Sequence, residues 1–180
     1  VENCINYGQI SGNHGVGGIV GDAQIGEINL CKNVGNVTGL SAESKYNAMY
    51  IGGIAGGAAY AGKHMTKNCI NIGEVKSSYS GSNVGGIIGY IAGSNSGHAI
   101  IENCYNLGKI SGYTRGGIVA KEGYSSSAKG KRELKDNYYL NTCGVGYGRA
   151  TEGSNDNAQP KSEKEINDLI KELLKILPNI

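Results

Sequence analysis

The chain has 180 residues, enough for one domain with an appendage, and its formal charge of +2 provides no strong field for nucleic acid or an anionic membrane. Glycine is frequent, at 31 residues, but proline is rare, at 2, and no Gly-X-Y period is present, which excludes collagen. The many isoleucines and valines argue against a disordered linker. No apolar run approaches about 18 residues, so we expect no membrane insertion.

A motif of the form N-C-x-N-x-G begins at Asn3 and recurs along the chain. Leucine replaces the first asparagine in the copy at Leu30, and a degraded fifth copy follows at 137–140 with Tyr138 in the place of the cysteine. Because the chain begins inside the first copy, we expect it to be a segment of a longer protein. The clear copies contain Cys4, Cys31, Cys69 and Cys104, and their second asparagines are Asn6, Asn33, Asn71 and Asn106.

A second motif, close to G-G-I-V-G, follows each clear copy, at 17–21, 52–56, 85–89 and 116–120. Repeats of this size indicate a solenoid, a propeller or an array. Glycine costs roughly 1 kcal/mol at each interior helix position, which argues against helical repeats. Short β-branched runs between Gly and Asn predict about three short strands in each repeat, fewer than a propeller blade needs.

We therefore predict an all-β fold, a short parallel β-solenoid over residues 1–148. Its four to five coils should start near residues 1, 28, 66, 101 and 135. Equivalent residues would stack about 4.8 Å apart. The four cysteines would then form a column of small apolar side chains. The second asparagines would form a column of hydrogen-bonded amides.

Stacked cysteines also lie within reach of a disulfide, so paired thiols are the alternative to buried free thiols. Cys143 lies outside the column and is expected in a loop.

Both motifs resemble the repeats of the GLUG family, as in ENCINYGQISGNHGVGGIVG and ENCYNLGKISGYTRGGIVA. The resemblance covers about residues 1–120. GLUG repeats occur in bacterial surface and secreted proteins, including adhesin-like proteins and the non-catalytic parts of IgA-specific metalloendopeptidases. The resemblance implies an extracellular location, on a bacterial cell surface or secreted, and a binding or scaffolding role without an active site.

After a linker at 149–161, residues 162–177 are predicted to form an amphipathic helix. Ser162 and Glu165 have the spacing of a capping box, and apolar residues recur every three or four positions. Because the terminal coils of a solenoid expose strand edges, we expect this helix to act as a cap.

The sequence indicates no catalytic residues, cofactor or metal site. His14, His64 and His98 lie in connections between motifs without companion ligands, and the carboxylates of the repeats are scattered. None of the cysteines has the paired spacing of a zinc site. We therefore expect no enzymatic activity in this segment.

The variable connections contain tyrosines among Ser, Gly and Asn, a composition typical of binding loops. The candidate ligand-binding residues are Tyr46, Tyr50, Tyr79 and Tyr113. The alternative is that these rings only cover glycine-rich backbone. The expected function is an adhesin-like binding module or a structural stalk, with a host glycan, a host surface protein or neighbouring domains as partners. The alternative is an accessory region of a large surface protease or polysaccharide-degrading enzyme.

Overall fold

The chain winds through four coils of five short strands each, followed by two further strands and one helix. A computed structural model describes residues 1–40, 49–58, 62–92, 97–123, 131–143 and 158–177. The predicted β-solenoid with a C-terminal helix is confirmed. Each coil has five strands rather than the expected three, because the segments on both sides of the second motif are also paired.

The strands are numbered in chain order. Coil 1 contains β1 (Ile5–Asn6), β2 (Ile10–Gly12), β3 (Gly15–Gly17), β4 (Val20–Ala23) and β5 (Gly26–Asn29). Coil 2 contains β6 (Lys32–Asn33), β7 (Val37–Gly39), β8 (Met49–Gly52), β9 (Ala55–Ala58) and β10 (Lys63–Lys67). Coil 3 contains β11 (Ile70–Asn71), β12 (Val75–Ser77), β13 (Ser82–Gly85), β14 (Ile88–Ala92) and β15 (His98–Glu102). Coil 4 contains β16 (Tyr105–Asn106), β17 (Ile110–Ser111), β18 (Thr114–Gly116), β19 (Val119–Gly123) and β20 (Lys131–Lys135). The chain continues with β21 (Asn137–Leu140), β22 (Ala158–Lys161) and α1 (Glu163–Ile176).

Equivalent strands of successive coils pair in parallel and form five sheets. We number the sheets by their order within a coil. Sheet 1 contains β1, β6, β11, β16, β21 and β22, and sheet 2 contains β2, β7, β12 and β17. Sheet 3 contains β3, β8, β13 and β18, sheet 4 contains β4, β9, β14 and β19, and sheet 5 contains β5, β10, β15 and β20. This register places the equivalent residues of each motif directly above one another.

Two separate apolar cores fill the coils. The larger one lies between sheets 4 and 5 and includes the cysteine column and the isoleucine of the second motif, as Ile54, Ile87 and Ile118. The smaller one lies between sheets 2 and 3 and is formed mainly by Val16, Val37, Ile51, Val75, Val84 and Ile110. An aliphatic residue lies between the two motifs in each coil, such as Val37 or Val75, and it packs in the smaller core. The isoleucine of the second motif packs in the larger core.

The last glycine of the second motif brings sheets 3 and 4 into direct backbone contact. A Cβ atom added to Gly56 would lie 2.4 Å from the backbone nitrogen of Val16, and one added to Gly89 would lie 2.4 Å from that of Ile51. Real Cβ atoms do not approach so closely, so only glycine fits at these two positions, whereas the fourth copy of the motif ends in Ala120. Gly56 and Gly89 are required by close approach rather than by an unusual backbone conformation.

The predicted fifth coil, which contains β21, departs from the alignment expected from the sequence. Tyr138 pairs with Tyr105 and Tyr139 pairs with Asn106. Asn137, rather than Tyr138, therefore occupies the place of the cysteine. Asn137 is fully buried, and its amide nitrogen donates to the carbonyl of Ile101. Its amide oxygen accepts from the backbone of Cys104, so a polar side chain is accommodated in the core.

Strand β22 closes the C-terminal edge of sheet 1. It pairs with β21 and occupies the last four residues of the segment expected to be a linker. Residues 144–157 lie outside the described part of the chain. Pro160 lies within β22 and has no N–H group, so it cannot donate to a further strand. A proline on an edge strand discourages edge-to-edge association.

Helix α1 covers the outward side of sheet 1. The predicted capping box is present at its N-terminus, with Ser162 and Glu165 as partners. Ile166, Ile170, Leu173 and Leu177 pack against Ile70 and Tyr105. Leu169 and Leu174 also follow the spacing of the predicted apolar face, but they are 42% and 39% exposed. The helix therefore caps the side of the coils, while β22 caps the strand edge.

Replacing Ile170 by alanine should lower the free energy of unfolding by about 2–4 kcal/mol, because the side chain is buried and leaves a cavity. The matched change Leu169→Ala, on the exposed flank of the same helix, should cost less than about 1 kcal/mol. Urea unfolding of both variants measures these losses. Equal, small losses would show that the helix does not stabilise the solenoid.

Candidate functional site

The asparagine column forms one continuous chain of hydrogen bonds through four coils. The Nδ2 atom of each residue donates to the Oδ1 atom of the next, at 2.8 Å for each of the three pairs among Asn6, Asn33, Asn71 and Asn106. Each Nδ2 atom also donates to the carbonyl of the glycine two residues later. Asn33, Asn71 and Asn106 are fully buried. Their amides are committed to stacking and offer a ligand nothing.

The two motifs meet at this column. A Cβ atom added to Gly53 would lie 2.3 Å from the Cγ atom of Asn71 in the following coil, so the glycine backbone lies flat against the amide. Gly18 and Gly86 make the same contact with Asn33 and Asn106. Each asparagine therefore needs a glycine beside it. This contact explains why both motifs recur together.

The first position of the motif has a different role from the second. Asn3, Asn68 and Asn103 adopt positive φ angles of 52–54°, the left-handed conformation that asparagine tolerates. Leu30 has φ 51° at the equivalent position, and its side chain packs against the cluster beneath the helix. Leu30 has no side-chain amide to pair with Asn68. The preceding residue, Asn29, takes this role, because its Oδ1 atom accepts from the Nδ2 atom of Asn68 at 2.9 Å.

The thiols of the cysteine column are free and face the larger core. Each donates to the backbone carbonyl two residues earlier, at 3.0–3.4 Å. The pKa of Cys31 is raised mainly by a hydrogen bond with Cys69 and secondly by burial. Burial also raises the pKa of Cys69 well above its ordinary value. Both groups are therefore protonated and poor nucleophiles at neutral pH.

Two thiols lie outside the fully buried part of the column. Cys4, expected to be buried, is half-exposed because only one neighbouring coil covers it among the described residues. Cys143, expected in a loop, lies in a turn and is 1% exposed. Cys143 belongs to the core between sheets 2 and 3. Its carbonyl accepts from the backbone of Ile110, so the turn that contains it covers the end of sheet 2.

The predicted tyrosine site is only partly assembled. Tyr46 lies outside the described residues. Tyr50 is the second residue of β8, and Tyr79 and Tyr113 lie in equivalent connections between sheets 2 and 3 of coils 3 and 4. Tyr79 is half-buried against the smaller core, whereas Tyr113 is 74% exposed. Of the described candidates, Tyr113 is the one that presents most of its ring to solvent.

The sequence analysis did not predict the aromatic stack that includes Tyr50. The rings of Tyr50 and Tyr90 are stacked with centroids 4.3 Å apart, and His14 lies 5.3 Å from Tyr50. Burial raises the pKa of both tyrosines and of the nearby Asp22. Sequence alone missed the pair because Tyr90 lies after the second motif, in another sheet of the next coil.

A groove of about 410 Å³ lies on the outward face of sheet 2. It is lined by Thr38, Gly39, Leu40, Lys76, Ser77, Ser78 and Ser111. The connections containing Tyr79 and Tyr113 form one border of this face. The sequence analysis did not identify the groove, although the alternation in each sheet 2 strand could have indicated that Thr38 and Lys76 point outward.

Two buried charged or titratable positions have no assigned function. Glu122 is aligned in sheet 4 with Ile91, which is aligned with Ala58 in the coil before. Glu122 forms an ion pair with Arg132 on β20. His64 is buried, its Nε2 atom lies 2.9 Å from Thr66 Oγ1, and burial lowers its pKa to about 4. Within the described ranges, no group of three His, Cys, Asp or Glu side chains is placed to hold a metal ion.

Comparisons with known proteins identify no relative of this chain: no protein-family model, no curated protein and no solved structure matches it. In the described residues no helix is sufficiently long and apolar to cross a membrane.

Replacing Asn71 by alanine should lower the free energy of unfolding by about 1–3 kcal/mol, because buried partners in two neighbouring coils lose a hydrogen bond. The matched variant Asn6→Ala, at the half-exposed end of the column, should cost less than about 1 kcal/mol. Urea unfolding compares the two. Equal losses would contradict a special contribution from the buried amides.

Thiol labelling should distinguish Cys4 from the other cysteines. Iodoacetamide should modify Cys4 first in the native protein, because it is the half-exposed thiol, and all five after unfolding in urea. Peptide mass spectrometry locates the modified residues. Intramolecular disulfides in the non-reduced protein, or native labelling of Cys69, would contradict the buried column.

Proposed function

We propose that this chain is a non-catalytic segment of a bacterial cell-surface or secreted protein that acts as an adhesin-like binding module. The bacterial, extracellular part of this proposal comes from the resemblance of the two motifs to GLUG repeats. The binding part comes from the distribution of side chains over the solenoid. The two parts are independent, so each can fail without the other.

One observation carries the binding part. The recurring side chains of the repeat are internal: the second asparagines hydrogen-bond to one another, and the cysteines fill a core. Accessible hydroxyls, Lys76 and Tyr113 lie together on sheet 2 and its border with sheet 3. Tyrosine combines a large apolar face with one hydroxyl and is common in binding loops.

The partner that best fits this surface is a glycan or a glycosylated host protein. The groove is shallow, and its hydroxyls and ammonium group suit a ligand with many hydroxyl groups. If the segment binds nothing, the stacked coils would serve as a stalk within the longer protein.

Replacing Tyr113 by serine should weaken glycan binding at least about tenfold, because an exposed aromatic contact is lost. The matched control is Tyr7→Ser, which removes a tyrosine that is 54% exposed at the opposite border of sheet 2. Binding is measured on an array of bacterial and mammalian glycans together with immobilised host matrix proteins. Circular dichroism checks that both variants keep the fold.

One result would count against the binding module, and another against the position of its contact. Absence of binding by the unaltered protein on the array and on the matrix proteins would favour the stalk. Binding that survives Tyr113→Ser but is lost in Tyr7→Ser would place the contact at the other border of sheet 2.

A further inference from the structure

We propose that the groove on sheet 2 binds a linear, carboxylated glycan that lies along the axis of the solenoid. This inference rests on the proposed binding function and specifies its ligand class. It depends on three features of the groove: a row of polar side chains in register, an excess of positive charge, and an exposed ring at the border.

The row consists of one outward-facing side chain from each coil. Pairing in sheet 2 aligns Ser11 with Thr38, Thr38 with Lys76, and Lys76 with Ser111. Neighbouring members are separated by the spacing of parallel strands, about 4.8 Å. This spacing is comparable to the length of one sugar ring in an extended chain. A linear glycan can therefore present successive rings to successive coils.

The charges on this face favour an anion. Lys76 pairs with Glu74 at 2.7 Å, but its side chain is 46% exposed, so solvent screens the pair and the ammonium group can reorient toward a ligand. Lys109 is exposed and precedes β17, whose register places it next to Glu74. The two lysines therefore outnumber the one carboxylate among the described residues of this face.

The corner between sheets 5 and 1 provides a contrast. There Glu102 lies between Lys67 and Lys135, and forms ion pairs of 3.5 and 2.9 Å with them. Lys135 lowers the pKa of Glu102, first through its hydrogen bond. A shallow depression of about 350 Å³ beside these residues also contains Asp136. The lining of that depression contains two carboxylates and one lysine, so it offers an anion no comparable advantage.

Tyr113 supplies the apolar contact. Its backbone nitrogen donates to the Ser82 hydroxyl at 3.3 Å, which holds the turn against the preceding coil. The residue is 74% exposed. A sugar ring presents C–H groups on its faces, and an aromatic ring can pack against them while the carboxylate meets Lys76.

The experiment compares two probes that differ in one group. Hyaluronan hexasaccharide carries a carboxylate on alternate rings, and its carboxyl-reduced derivative has the same length without charge. Isothermal titration calorimetry with the full chain should show binding of the hexasaccharide at least about tenfold tighter than of the reduced form. Raising the salt concentration from about 0.05 to 0.5 M should weaken the binding of the hexasaccharide alone.

A lysine pair provides the matched control. Lys76→Gln should weaken hexasaccharide binding about tenfold, and Lys76→Arg should restore most of it because the positive charge returns. Lys67→Gln removes a lysine at the corner between sheets 5 and 1, where it is also ion-paired, and should leave binding unchanged.

Equal binding of both probes would overturn the carboxylate inference and leave a glycan-binding module. Absence of binding to the hexasaccharide, with neutral glycans bound on the array, would have the same meaning. Loss of binding in Lys67→Gln but not in Lys76→Gln would overturn the assignment to sheet 2. If neither probe, no array glycan and no matrix protein binds, the proposed function fails as well.

Discussion

The architecture depends on the contact between a buried asparagine and a glycine of the preceding coil. The amide of Asn71 donates to Asn106, accepts from Asn33 and lies against the backbone of Gly53. A buried amide without partners would be costly, and a residue with a Cβ atom at Gly53 would displace it. Stacking is therefore favourable only when both motifs are present in register, which imposes the repeat on the sequence.

This constraint restricts where function can reside. The asparagines and thiols are used internally, and glycines occupy the surfaces through which sheets 3 and 4 touch. Two narrow cores leave no room for a ligand to enter. Side chains that can vary without disturbing the stack lie on outward faces and in connections. Any selective binding must therefore come from those positions, and the groove on sheet 2 is one of them.

The last coil shows how the repeat ends. Asn137 replaces the cysteine and satisfies its amide with two backbone groups, and in coil 4 Glu122, ion-paired with Arg132, occupies a position that is small or aliphatic in earlier coils. Such buried polar groups add little to stability but specify one arrangement. Strand β22 with Pro160 then closes the edge, and α1 covers the side of sheet 1.

Sequence alone was sufficient for the solenoid, the two stacked columns and the capped helix, because contacts between coils recur at fixed motif positions. It could not determine the five sheets, the glycine layer or the exposure of Cys4 and Cys143, because these depend on how each coil turns and on which coil lies at an end. The same limit applies to the surface. Composition indicated tyrosines in the connections, but only the tertiary structure separated the exposed Tyr113 from the packed Tyr79 and aligned Lys76 with the hydroxyls of neighbouring coils.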